Sequence, residues 1–439
     1  MRLAHAWVRP QRLESRPETD HRMPPPSPPQ TAPQTPAAPA PAAAIGARLV
    51  CCLGLSQLLA WGAMHYLIAV FAQPITAELG WSPAWVQAGF SLALLVMAAS
   101  SSAVGRWIDS HGGRRAMMAG CWAGALGCAV LASAQHLATY YLGWVLLGLG
   151  MRLALYDAAF AALAFLGGPA TKRAMSQITL FGGFASTLFW PLGQALADAL
   201  GWRGALWGYA LLLLLGSALH LAIPRAAPRI LGQAAAPAAP GPAPRRTAVA
   251  DTWLYGLVAV LVLAMQTGVA AHFLALLRGL GWDARTAVTL SMLLGVGQFC
   301  GRAWVVAWAH RFDAIRLNLL PCSFLAGAYA VALLAGASLA GAAAFTFLYG
   351  AGNGIATITR GAMPLLLFDT AHYGRIVGSI LRPAFVLAAA APVAVALALE
   401  RLGQAGTLAL GLAACTVLLA ASIALVLRHP STTARRTMP

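Results

Sequence analysis

From Leu49 onward the chain alternates between apolar runs of about 19–30 residues and short polar connections. A run of that length crosses a hydrocarbon core of ~30 Å as a helix. Backbone groups in lipid must also bond within their own segment, which favours helices. The runs predict twelve spans: 49–72, 84–104, 116–134, 138–166, 176–198, 204–223, 253–277, 285–308, 317–336, 340–368, 376–399 and 405–427. Between the sixth and seventh lies 224–252, where Pro224, Pro228, Pro237, Pro240, Pro242 and Pro244 predict a flexible linker. The pattern therefore predicts an all-α polytopic membrane protein of two six-helix bundles, 45–223 and 253–427, with a tail at 428–439. Residues 1–44 join a basic stretch to a Pro/Ala tract without an apolar core, which predicts a disordered tail rather than a signal sequence.

An internal repeat agrees with this division. Leu-Gly-Trp occurs at 79–81, 200–202 and 280–282, and Leu-Gly-Gln at 402–404. The halves are offset by 201 to 202 residues, and Gly148-Leu-Gly matches Gly350-Ala-Gly at the same offset. All four tripeptides fall after spans 1, 5, 7 and 11, on one side. Tryptophan there suits the headgroup level of a bilayer. Two parallel halves around a linker describe a pseudo-symmetric transporter architecture.

Composition excludes the soluble classes. Only 9% of residues are charged and 59% are hydrophobic, with a mean hydropathy of +0.71. So few charges cannot cover the surface of a cytosolic enzyme. The net charge of +17 comes from Arg, with Lys172 the sole lysine. These residues sit in short runs between spans, so the charge reads as topology and not as a nucleic-acid footprint. With the N-terminus inside, the cytoplasmic connections and tails hold 21 Arg or Lys against four in the opposite connections. That asymmetry predicts both termini and the linker in the cytoplasm and the protein in the cytoplasmic (inner) membrane. The seven cysteines lie in apolar stretches at no metal-ligand spacing, and are read as packing residues without a metal site.

The connection after span 2 reads Gly105-Arg-Trp-Ile-Asp109-Ser-His-Gly112-Gly-Arg114-Arg115. It resembles the signature loop of the major facilitator superfamily, G-x-x-x-D-x-x-G followed by basic residues, at its usual place between helices 2 and 3. Ser110 and Gly113 depart from it, standing where that family often has basic residues. The resemblance covers about residues 46–428 and implies a twelve-helix transporter whose loop takes part in conformational switching. The glycines would allow close helix approach, and Asp109 would cap a neighbouring helix and pair with Arg114 and Arg115. The second-half counterpart is weaker, keeping Gly301-Arg302 and then His310-Arg311-Phe-Asp313. Gly80-Trp81-Ser82 is loosely similar to the bacterial monocarboxylate or oxalate/formate branch.

Ionisable residues inside spans are costly and are candidate functional groups. Asp157 is the only acid deep in a span, and Arg152 and Tyr156 share that span. Arg152 and Tyr156 lie on one helix face. Arg152 and Asp157 stand about 140° apart on an ideal helix, which argues against a direct pair. Arg152 is read as an anion anchor or coupling relay, or alternatively as an interhelical hydrogen-bond donor. Span 10 offers Asn353, Thr357 and Arg360. Under the 202-residue offset Asp157 corresponds to Thr359, next to Arg360, so the two charges lie at matching depth. Arg360 either meets Asp157 there or snorkels to the membrane surface. Further candidates are Gln57, His65 and Tyr66 in span 1, Gln266 and His272 in span 7, and Gln298 in span 8. The resemblance places spans 1, 4, 7 and 10 around the cavity.

The chain has no phosphate loop, nucleophile elbow or zinc-protease motif. No cofactor is expected, and uphill transport would draw on an ion gradient, with protons the expected ion. The sequence thus predicts a non-enzymatic, monomeric secondary transporter of a small organic solute working by alternating access, an organic anion being favoured by Arg152. The alternatives are efflux of a drug or toxic oxyanion, or a non-transporting membrane sensor or scaffold.

Overall fold

A computed structural model describes residues 45–168, 170–225, 249–308 and 311–430. The tail at 1–44, most of the linker at 224–252 and the end of the tail at 428–439 lie outside the described residues. The described residues form helices joined by short turns. Among the described residues, nine helical segments are long and apolar enough to cross a membrane. Two of them, of 52 and 59 residues, contain a glycine with non-helical angles, Gly201 and Gly403. Dividing at these glycines and adding Leu339–Ala362 gives α1 (Ala47–Leu79), α2 (Pro83–His111), α3 (Gly113–Ala132), α4 (Leu137–Leu166), α5 (171–200), α6 (202–222), α7 (Val249–Gly279), α8 (Ala284–Trp308), α9 (Ala314–Ala335), α10 (Leu339–Ala362), α11 (373–402) and α12 (404–428).

The repeated tripeptide has a backbone cause. Gly80, Gly201, Gly281 and Gly403 have φ of 67°, 71°, 98° and 67°. Only glycine enters that region without strain, so each stops a helix and turns the chain back. The residue that follows ties the turn down. Trp202 Nε1 donates to Glu78 at the end of α1, and Gln404 Nε2 donates to Leu276 O near the end of α7 at 2.6 Å. Trp282 Nε1 donates to Gly336 O at 3.0 Å. These side chains are buried or half-buried in the bundle, so the tripeptide also serves to fasten helix ends to one another. That role explains how Gln404 replaces a tryptophan: each donates one N–H at an equivalent place.

α10 is the most enclosed helix, with every residue from Tyr349 to Ala362 buried. Contacts between the first six helices and the last six join α2 to α11, α5 to α8 and α10, and the second part of α4 to α10 and α11. They gather toward the end that carries Asp109. At that end Arg428 of α12 also donates to Asp251 of α7 at 2.6 Å.

Candidate functional site

α4 does not run straight. Leu155 is extended, with φ −77° and ψ −175°, and separates Leu137–Ala154 from Tyr156–Leu166. Arg152 therefore lies in the last turn of one half-helix and Asp157 in the first turn of the next. Each charge faces the backbone dipole that favours it. The break also frees carbonyls, and Gln57 Nε2 of α1 donates to Ala154 O at 2.8 Å. The angle expected between Arg152 and Asp157 on an ideal helix does not carry through an extended residue. The two charges are within electrostatic range, while the guanidinium donates to Ser101 Oγ at 2.9 Å and Ser101 O at 3.1 Å.

Asp157 pairs across the molecule. Arg360 Nη1 of α10 donates to Asp157 Oδ1 at 2.9 Å, with side chains 9% and 11% exposed. Arg360 thus does not snorkel. Its turn of α10 is fixed by Tyr255, whose hydroxyl donates to Arg360 O at 2.9 Å, and by Tyr373, which donates to Gly361 O at 2.8 Å. Neighbouring Thr359 donates to Asn318 Oδ1 at 2.6 Å. The ion pair therefore ties the second half of α4 to an immobilised part of α10.

A second tie lies at the same end. Asp109 Oδ1 and Oδ2 accept from the amides of Gly374 at 2.7 Å and Arg375 at 2.6 Å, the free donors at the start of α11. Asp109 thus meets the start of a neighbouring helix, as the resemblance implied, and no pairing with Arg114 or Arg115, which are half-buried and exposed, is seen among the described residues. Gly105 makes the approach possible: a Cβ there would lie 2.0 Å from Gly374 O. Gly112, with φ 78°, turns the chain from α2 into α3.

In α1 the segment Trp61–His65 is a π-helical turn, a form that recurs at functional sites. His65 stacks edge-on against Trp61, Tyr66 and Phe90, with ring centroids 4.6, 5.2 and 5.1 Å away. His272 of α7 donates through Nε2 to Pro392 O of α11 at 2.8 Å, and Thr267 donates to Ala388 O at 3.0 Å. Pro392 lacks an N–H, so Ala388 O loses its helical donor, and Thr267 replaces it. That pairing accounts for His272 as a strap on α11. Gln266 and Gln298 are half-buried, and Thr357 bonds back to Asn353 O at 2.9 Å. Asn353 is 2% exposed and its Oδ1 has no partner among the described residues.

One residue absent from the sequence-based candidates belongs here. Arg302 of α8 is 4% exposed, and its Nε and Nη1 have no hydrogen-bond partner among the described residues. It lies across the junction of the halves against Gly183 of α5, where a Cβ would sit 2.3 Å from Nη1. Tyr66 and Tyr156 are within its electrostatic range. The adjacent Gly182 makes room for the Tyr156 hydroxyl, which donates to Thr179 O at 3.2 Å. The signal was present, since an arginine inside an apolar run is a candidate by the rule that selected Arg152. Its place beside a decayed copy of the signature loop assigned it to that loop.

A family model described as Major Facilitator Superfamily matches residues 53–391. No curated protein matches the chain. Among solved structures, a bacterial homologue of the iron transporter ferroportin in its outward-facing state is similar at a TM-score of 0.69, with 14% identity over 87% of this chain and 100% of that one. The human organic anion transporter TETRAN is similar at 0.68, with 15% identity over 85% and 99%. The E. coli fucose:proton symporter is similar at 0.66, with 15% identity over 86% and 97%.

Proposed function

The chain belongs to the Major Facilitator Superfamily, and from that premise we propose that it moves a small organic anion across the cytoplasmic membrane by proton-coupled alternating access. Family membership makes it a membrane transporter rather than an enzyme. The observation that carries the anion reading is Arg302, a buried guanidinium between the halves with two donor nitrogens unpartnered. A buried cation without a counter-charge is costly, and an anionic solute would supply the missing acceptor. Arg152 and Asn353 leave further atoms, Nη1 and Oδ1, unpartnered.

The proton reading rests on Asp157. Its carboxylate holds Arg360 across the two halves, and by the sequence it is the acid placed deep within a span. Protonation would remove the charge that closes this end. With the basic connections in the cytoplasm, the Asp109 end is the inner one, and the state described is closed inside. The proton would then favour inward opening, and the solute would be released to the cytoplasm.

The test is uptake by proteoliposomes of charged and neutral solutes, with and without an imposed pH gradient. Accumulation of an anion that rises with the gradient and is lost in Arg302→Gln is the expected result. Transport confined to neutral or cationic solutes would refute the anion reading. Gradient-driven accumulation that survives in Asp157→Asn would remove Asp157 as the proton carrier.

A further inference from the structure

The surroundings of Arg302 describe more than a charge. Tyr156, within its electrostatic range, has its ring centroid 5.0 Å from that of Trp61. Trp61 lies 6.1 Å from Tyr66, and Tyr66 lies 6.1 Å from Trp190 of α5. The rings thus form a continuous series from the guanidinium along α1 and α5. Trp61 and Tyr66 are half-buried and Trp190 is 48% exposed, so the series passes from interior to open surface. Three of its members come from the π-helical turn and its end, Trp61 and Tyr66, and from the break in α4, Tyr156. Both local irregularities therefore bring rings within electrostatic range of the same cation.

A second feature concerns what this wall can offer a ligand. Trp61 Nε1 is buried and has no acceptor among the described residues, so this wall carries an unpartnered indole donor as well as the guanidinium nitrogens of Arg302. Gly183, without a side chain, lets the guanidinium come up against the backbone of α5. A planar fork of N–H donors matches a carboxylate better than a spherical anion. Ring walls favour a flat apolar body, which stacks or meets them edge-on.

We infer that the solute is an aromatic carboxylate, its carboxylate held by Arg302 and its ring seated among Trp61, Tyr66 and Tyr156. This rests on the organic-anion reading above and narrows it. The aliphatic and small carboxylates share the charge but leave the ring wall unfilled.

The experiment is calorimetric binding to the full chain in nanodiscs, using benzoate, cyclohexanecarboxylate, acetate and benzamide as probes. Benzoate should bind about three- to tenfold tighter than cyclohexanecarboxylate, the margin that ring–ring contacts supply beyond burial. Acetate, which buries no ring, should be weaker by more than about tenfold. Benzamide keeps the shape without the charge and should also be weaker by more than about tenfold. Arg302→Gln should abolish the preference for benzoate over benzamide, and Arg302→Lys should retain part of it. Trp61→Leu should reduce benzoate affinity while leaving acetate unchanged, which a general loss of folding would not do. Acetate binding as tightly as benzoate overturns the aromatic inference and leaves the anion reading standing. Benzamide binding as tightly as benzoate overturns both. Unchanged benzoate affinity in Arg302→Gln overturns the placement of the carboxylate.

Discussion

The ion pair between Asp157 and Arg360 allows the conformational balance to be worked from the structure. At 2.9 Å the attraction is about 6 kcal/mol with an effective dielectric constant of ~20. Desolvation offsets most of that, but removing one partner leaves a buried charge, at a cost of ~3–5 kcal/mol. The cost falls only on the state in which the pair is buried, so it acts on the equilibrium between states. A shift of ~3 kcal/mol changes that equilibrium by about 150-fold.

The two single neutralisations are not equivalent. Asp157 interacts with both Arg360 and Arg152, and the two arginines repel each other. Arg360→Gln leaves Asp157 with Arg152 nearby and a helix N-terminus behind it. Asp157→Asn leaves two buried guanidinium groups and no carboxylate. The second change should therefore open the Asp109 end more completely. Electron–electron resonance between spin labels at His111 and Thr370, in a cysteine-free background, reads that opening directly. The unmodified protein should show mainly the short distance, Arg360→Gln a mixture, and Asp157→Asn mainly the long one. The charge swap Asp157→Arg with Arg360→Asp should recover only part of the short population, because the new arginine meets Arg152 and an unfavourable dipole. Distances unchanged in Asp157→Asn, or a larger shift in Arg360→Gln, would falsify this account of the pair.

Three other outcomes follow from particular contacts. Gly105→Ala puts a methyl 2.0 Å from a backbone oxygen of α11, so uptake in proteoliposomes should fall more than about tenfold, with expression retained. A Gly105→Ala protein with full uptake removes the close crossing from the switch. Thr267→Val strips the donor from Ala388 O and should cost ~1–3 kcal/mol, read as a lower midpoint in thermal unfolding. An unchanged midpoint would mean that another donor serves this carbonyl. A cysteine at His111 should resist an impermeant reagent on intact cells while one at Asp283 reacts, and the reverse pattern inverts the proposed topology.

Much of the architecture was legible because it is written in long-range patterns. Apolar runs set the helices, and the offset of 201 to 202 residues set the two halves. The same offset brought Asp157 and Arg360 to one depth before any coordinates did, because pseudo-equivalent helices carry equivalent levels. The break in α4 was not legible. Leu155 is an apolar residue with good helix propensity, and neither glycine nor proline adjoins it. What supports its extended backbone is tertiary, the Gln57 side chain arriving from α1. His272 was hidden for a related reason. Its partner is a backbone carbonyl at a proline 120 residues away, and no spacing rule connects them.

The broken helix also joins the two parts of the proposed mechanism. Tyr156 and Asp157 are consecutive residues at the start of one half-helix, with Leu155 as the joint. Tyr156 faces Trp61 and Arg302, where the solute is proposed to sit, while Asp157 holds Arg360. A displacement of Tyr156 by a bound ring therefore carries Asp157 with it, and the extended Leu155 that precedes both is the joint about which the half-helix would turn. Gln57 restrains that joint through Ala154 O, and it does so from the helix that carries Trp61 and Tyr66. Solute and gate would thus act on a single half-helix through consecutive residues at its start. Coupling of this kind needs a two-state element that both sites bias, and the half-helix Tyr156–Leu166, which contacts both halves of the molecule, is the element the proposal assigns to it.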